Sequence, residues 1–154
     1  MHYVWGINYG PPSPVTSIST IKNLLDYVTT NVSPDIINIG FPTIGYDWEL
    51  PYIPGKSSAH SLSLDAAVNL ARDTGASIQF DDISQTPYFQ YMQFGFGNPV
   101  QHIVWFIDAR SIEALVKLVS EYRLAGTGIW NIMIYYPQLW LVINSQYDIV
   151  KFIE

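Results

Sequence analysis

The segment SPDIINIGFPTIG, residues 33–45, constrains the fold most. Its near-continuous apolar character leaves no polar side, so it reads as a strand covered on both faces, the mark of a parallel sheet. The earlier run MHYVWGI reads as a second strand, stopped by the prolines of NYGPPSPV, which lack the amide that a ladder needs. Between them, TSISTIKNLLDYVTTNV sets Ile18, Ile21, Leu24, Leu25 and Val28 at helical spacing, with serine and threonine available as caps. Strand, helix and strand in this order make a βαβ unit with a right-handed crossover.

Downstream, SLSLDAAVNLARDTG predicts a helix with Ala66, Ala67, Leu70 and Ala71 on one side and Gly75 as its C-cap. The pieces ASIQF, PYFQYMQFG and VQHIVWFID are β-like, and the glycine-rich FGFGN between the last two suits a hairpin. Helix returns in ARSIEALVKLVSEYRLAG, with Ile112, Leu115, Val116, Val119 and Tyr122 facing inward. GTGIWNIMI reads as another buried strand, and YPQLWLVINSQY as a short helix with Pro137 in its first turn. The expected division is a βαβ part over residues 1–50, an α+β insertion over 51–108 and a final α-β-α part over 109–154. Three parallel strands leave bare edges, which either a larger sheet or a second copy must cover.

Composition narrows the function. At 154 residues, about half apolar, the chain is one domain with a real core. A net charge of −6 removes the electrostatic attraction behind most nucleic-acid affinity, so no DNA or RNA partner is expected. With no cysteine, thiolate chemistry and disulfides are excluded. The apolar stretch 128–143 is broken by Asn131, Pro137 and Gln138, so no membrane span is expected, and the opening MHYVWGINYG carries no recognisable export signal. His2, His60 and His102 fall on different elements without ligand spacing, so neither a metal nor another cofactor is expected. The serines lack a G-x-S-x-G context. Five Trp and eleven Tyr are a better lead, because their flat faces with a polar handle suit the apolar faces of sugar rings. Core packing is the plainer reading for any single one of them. The stretch IGYDWELPYIPG gathers Tyr46, Asp47, Trp48, Glu49 and Tyr52 where an apolar run ends, as a binding face would.

Several motifs then agree in order and spacing: MHYVWGINYGPPSPV, GFPTIGYDWELPYIPG, ASIQFDDISQTPYFQY, HIVWFIDARSIEALVKLVSEYRLAGTGIW and YPQLWLVINSQY. Over nearly the whole chain they resemble the C-terminal portion of glycoside hydrolase family 18, in the branch of spore cortex-lytic N-acetylglucosaminidases. The resemblance implies an α/β fold, a partial (β/α)8 barrel covering strands six to eight, with an α+β insertion after strand seven. It implies an N-acetylglucosamine-containing glycan of peptidoglycan or chitin type as the ligand, and a place in a bacterial spore or cell envelope. It also implies roles. Tyr3 matches a strand-six tyrosine that supports the substrate acetamido group, Trp130 a strand-eight tryptophan that floors the sugar, and Asp47 and Trp48, with Tyr46, the GYDW of the cortex-lytic branch. Asp108 and Arg110 match a WFEDARS segment, although a helix cap and ion pair explain them equally well.

Retaining hydrolysis in this family uses the substrate's acetamido oxygen as nucleophile and a glutamic acid as proton donor. The D-x-x-D-x-D-x-E motif that carries this acid is absent, and the nearest acid pair, Asp81-Asp82, falls in the insertion. No catalytic residue is therefore assigned. Asp47, Glu49, Asp81, Asp82 and Asp108 could supply another carboxylate pair, which spacing cannot establish. Val4, Ile44 and Ile107 stand where the family has polar residues, and Ile134 and Leu139 are unusually apolar, as a cleft converted to a dry contact would be. The alternatives to a hydrolase piece are thus a half-barrel that self-associates, as a homodimer for example, and a glycan-binding module without catalysis.

Overall fold

A computed structural model describes residues 9–95 and 97–150. The expected strand MHYVWGI, with Tyr3, lies outside them. The elements run α1 (Ile18–Val28), β1 (Asn38–Pro42), β2 (Gly45–Leu50), β3 (His60–Leu62), α2 (Leu64–Thr74), β4 (Gln79–Asp81), β5 (Thr86–Gln93), β6 (Val100–Trp105), α3 (Ala109–Glu121), β7 (Gly126–Trp130) and α4 (Pro137–Gln146). They form an α/β fold with two sheets. β1 and β7 pair in parallel, and an antiparallel sheet takes the order β3-β2-β6-β5-β4.

The parallel pair carries Ile39 and Phe41 toward the helices, against Ile21 and Leu25 of α1 and the buried Ile112, Leu115, Val116 and Val119 of α3. Period-two alternation turns Asn38, Gly40 and Pro42, with Gly126, Gly128 and Trp130 in register beside them, to the opposite face. On the second sheet, Phe89 and Val104 pack with Leu64, Ala67 and Ala71 of α2 in the same core. α3 touches β1, β7, β5, α1 and α4, so one helix joins both layers.

The helix ends follow their sequence. Gly75 ends α2 in the left-handed conformation, with its N–H on the carbonyls of Ala71 and Arg72, a conformation open to glycine because it has no Cβ. Asp108 caps α3, its carboxylate accepting from the N–H groups of Arg110 and Ser111. Pro137 sits in the first turn of α4. On α1, Leu24 is exposed where the periodicity predicts burial, and the Ser17 hydroxyl meets Ser19 instead of capping.

One expectation is corrected. Residues 44–52 do not extend the strand that carries Phe41: β1 ends at Pro42, and Gly45–Leu50 is a separate strand paired with β6 and β3. The excursion into the second sheet therefore begins at Gly45, six residues before the expected boundary at 51. Pro42 has no N–H with which to continue a ladder, and Gly45 allows the crossing. A Cβ there would lie 2.9 Å from the Cβ of Phe106 and 3.3 Å from the Trp105 carbonyl oxygen. β3 also escapes the sequence reading, being a three-residue edge strand with no apolar alternation.

Candidate functional site

Trp130 ends β7, level with Pro42 at the end of β1. Its neighbours on that face, Gly40 and Gly128, have no side chains to cover it, and its indole is 58% exposed. The chain at its back is held by the buried Thr43. The Thr43 N–H donates to the Trp130 carbonyl at 2.8 Å, and its hydroxyl donates to the Asn131 carbonyl at 3.0 Å while accepting from the Asn131 N–H at 2.8 Å. Asn131 Oδ1 in turn accepts from the Met133 N–H at 2.6 Å.

The second sheet supplies a row of aromatics. Tyr46 lies in register with Trp105, and Trp105 with Tyr88, so the three share the sheet face turned away from α2. Tyr88 and Trp105 stack with ring centroids 4.6 Å apart, and Tyr46 leans on Trp48 at 5.7 Å. Trp48 is fully buried, and neither its indole N–H nor that of Trp105 has a partner among the described residues. Burial raises the Tyr46 hydroxyl above the ordinary phenol range.

Asp47 points to the opposite face. It is 6% exposed and has both oxygens engaged: Oδ2 accepts from the Tyr91 hydroxyl at 2.7 Å, and Oδ1 lies 3.0 Å from His102 Nδ1. A carboxylate has no proton to offer, so Nδ1 carries the hydrogen in that contact. The Tyr91 ring stacks on His102 at 4.7 Å. Burial first, and the bond to Asp47 second, push the Tyr91 hydroxyl far above its usual range. His102 Nε2 is buried without a partner among the described residues.

Asp108 binds Arg110 through Nε at 2.9 Å and Nη2 at 2.7 Å, and the guanidinium lies over Phe80, 4.2 Å from the ring centroid. The cap and ion pair expected for these two residues are both present. The other acids stay apart in their bonding, Asp81 being held by the Ser84 N–H at 2.7 Å. Among the described residues no three His, Asp or Glu side chains gather as metal ligands, and no helix is long and apolar enough to cross a membrane.

Of the residues expected to contact sugar, the structure leaves Trp130 open and Tyr46 half-buried, buries Asp47 and Trp48, and describes nothing of Tyr3. Ile107 and Leu139, expected to line a dry contact between copies, pack instead inside the chain's own core. Thr43, Tyr88, Tyr91, His102 and Trp105 escape the sequence reading. The alternation in PYFQYMQ and VQHIVW signals strands there, but nothing local reveals which side chains meet across them.

The described residues thus form an α/β chain with an open tryptophan at the end of a parallel strand, and an antiparallel sheet with an aromatic face. The sequence profile described as Glycosyl hydrolases family 18 matches residues 1–133, and the chain belongs to that family. It is 37% identical over 151 residues to the cortical fragment-lytic enzyme of Bacillus subtilis (strain 168), spanning 98% of this chain and 34% of that one. The crystal structure of the Bacillus cereus spore cortex-lytic enzyme SleL superposes with a TM-score of 0.89 at 37% identity, over 97% of this chain and 34% of that chain. A chitinase from Chromobacterium violaceum gives a TM-score of 0.81 at 27% identity, over 94% of this chain and 43% of that one. The chain thus spans about a third of the length of the cortex-lytic relatives it matches.

Proposed function

We propose that these residues form the strand-six to strand-eight portion of a (β/α)8 barrel with its insertion, and that they supply one wall of a cleft for N-acetylglucosamine-containing glycans of peptidoglycan or chitin type. The observation that carries this reading is Trp130. It stands exposed at the C-terminal end of a parallel strand, the end at which barrel enzymes build their sites, on a face left open by glycines. A pyranose ring laid on that indole is the contact proposed, with the aromatic row of the second sheet, where Trp48 leans on Tyr46, as a further stacking surface. The names of the relatives, cortex-lytic enzymes and a chitinase, point to the same ligand class.

Binding is what these residues contribute to the reaction. The aspartate-rich motif with the proton-donating glutamate is missing from the 154 residues, and the buried Asp47 is already bonded on both oxygens. The chain by itself therefore holds sugar without cleaving it. Titration with tri-N-acetylchitotriose should change the tryptophan fluorescence, and Trp130→Ala should weaken binding by up to about tenfold, the scale of one aromatic contact. A chromogenic N-acetylglucosaminide should not be turned over above the buffer rate. Turnover would refute the missing-acid account, and an unchanged fluorescence at millimolar ligand would refute the binding account.

A second reading, self-association, is favoured by a different observation. Ile132, Met133 and Tyr135, which follow β7, and Leu141 of α4 are all exposed, and among the described residues β7 pairs on one side only. Sedimentation equilibrium over a wide concentration range tests it, and a monomer throughout would remove it.

A further inference from the structure

The carboxylate of Asp47, the imidazole of His102 and the phenol of Tyr91 come from three adjacent strands, β2, β6 and β5, and meet on the α2 side of the sheet. Tyr46, Trp105 and Tyr88 come from the same three strands and share the other side. Each strand thus gives one residue to the polar cluster and another to the aromatic row, at positions of opposite parity. We infer that the Asp47–His102–Tyr91 network is a register lock for the aromatic row: its members are positioning residues that decide which face Tyr46, Trp48, Trp105 and Tyr88 occupy, and none of them touches sugar. As a role in glycan recognition this rests on the binding reading above.

The argument is one of alternatives. For holding a sheet against a helix, apolar side chains serve at least as well as a buried polar cluster, because taking polar and charged groups out of water is costly. The sheet needs more than adhesion, since a one-residue slip of β2 would send Asp47 to the aromatic face and Tyr46 and Trp48 toward α2. With this cluster in place, such a slip carries the carboxylate away and leaves the His102 Nδ1–H and the Tyr91 hydroxyl inside without their acceptor, so the slipped state is strongly disfavoured. Valine and leucine at these positions would not punish the slip in that way.

The test uses the intact chain and the side-chain N–H signals of its tryptophans and histidines in nitrogen-15 correlation spectra. In the wild type, His102 should show a slowly exchanging Nδ1–H. Asp47→Leu removes the acceptor of both donors, and His102→Leu removes one of the donors. Both should shift the indole signals of Trp48 and Trp105, on the far face, while leaving Trp130 in place, and should weaken tri-N-acetylchitotriose binding by about tenfold if Tyr46 is displaced. His102→Asn, which keeps an N–H near the Nδ1 position, should restore most of both readouts. Should the stronger variants not fold, Tyr91→Phe removes one of the two donors and should shift the same indoles by less. Indoles of Trp48 and Trp105 that stay unmoved in every folded variant, or a His102 protonated only on Nε2, would overturn the lock. Indole shifts without any chitotriose binding by the wild type would support the lock and refute the glycan-binding reading separately.

Discussion

The hydroxyl of Thr43 grips the backbone of Asn131 from both sides, accepting from its N–H at 2.8 Å and donating to its carbonyl at 3.0 Å, across 88 positions of sequence. This clamp joins the segment after β1 to the segment after β7, directly behind Trp130. Thr43→Val keeps the shape and removes both bonds, leaving the partly buried N–H and carbonyl of Asn131 without that partner. Stability should fall by about 1–3 kcal/mol in urea denaturation. The Trp130 contribution to chitotriose-dependent fluorescence should fall with it, whereas Thr43→Ser should retain both.

Gly45 is where the chain crosses between sheets. Gly45→Ala puts a methyl group 2.9 Å from the Phe106 Cβ, and neither backbone can yield freely. The expected loss is about 1–3 kcal/mol, the usual range for overpacking, read as a lower urea midpoint with an unchanged slope.

Asp108 offers the clearest separation of structural from binding roles. Its carboxylate caps α3 through the N–H groups of Arg110 and Ser111. Asp108→Ala should cost about 1 kcal/mol of stability, and Asp108→Asn much less, with chitotriose binding unchanged in both. A specific loss of sugar binding in Asp108→Asn would move this residue into the site.

Two tyrosine and aspartate contacts give opposite pH signatures. The Ser84 hydroxyl and N–H hold the Asp81 carboxyl below its ordinary value, so the ionised form is favoured on folding. That contribution is complete above the unfolded value of about 3.9 and is lost as pH falls through the lower folded value. The urea midpoints of wild type and Asp81→Asn should therefore differ at neutral pH and converge in acid.

Tyr122 works in the other direction. Its hydroxyl donates to Asp26 at 2.7 Å, and this bond, more than burial, pushes it up to about 12. The neutral form is favoured on folding, so the contribution is intact below the unfolded value of about 10 and is lost as pH rises through the folded one. Ultraviolet titration of Tyr122→Phe should show one late-ionising tyrosine fewer than the wild type, with that of Tyr91 still present.

The helices were readable because their signals are local. The burial of Ile112, Leu115, Val116 and Val119, the Gly75 cap and the Pro137 start each depend on residues within one turn. The hairpin around FGFGN was equally local: β5 and β6 pair from Gln93 and Val100 outward. The strand break at Pro42 was hidden, because Ile44 and Trp48 prolong the apolar run whether or not the chain changes sheets. Hidden too was the Asp47 network, whose members lie 55 and 44 residues apart in the two bonds and meet only once the sheet register is set. Asp47 reads in the sequence as part of a binding face because it stands among aromatics where an apolar run ends; its pairing with Tyr91 and His102 is what makes its burial tolerable.

Because Tyr46 and Trp105 are cross-strand neighbours, the polypeptide departs from the parallel pair and rejoins it at a single spot. The stretch between them is closed off by that one pairing, yet it is tied to the rest of the chain, since Phe89 and Val104 share the core that α3 covers. Change in this stretch is therefore absorbed most readily at its rims, in the three-residue edge strands β3 and β4, while β5 and β6 stay bound to the helices.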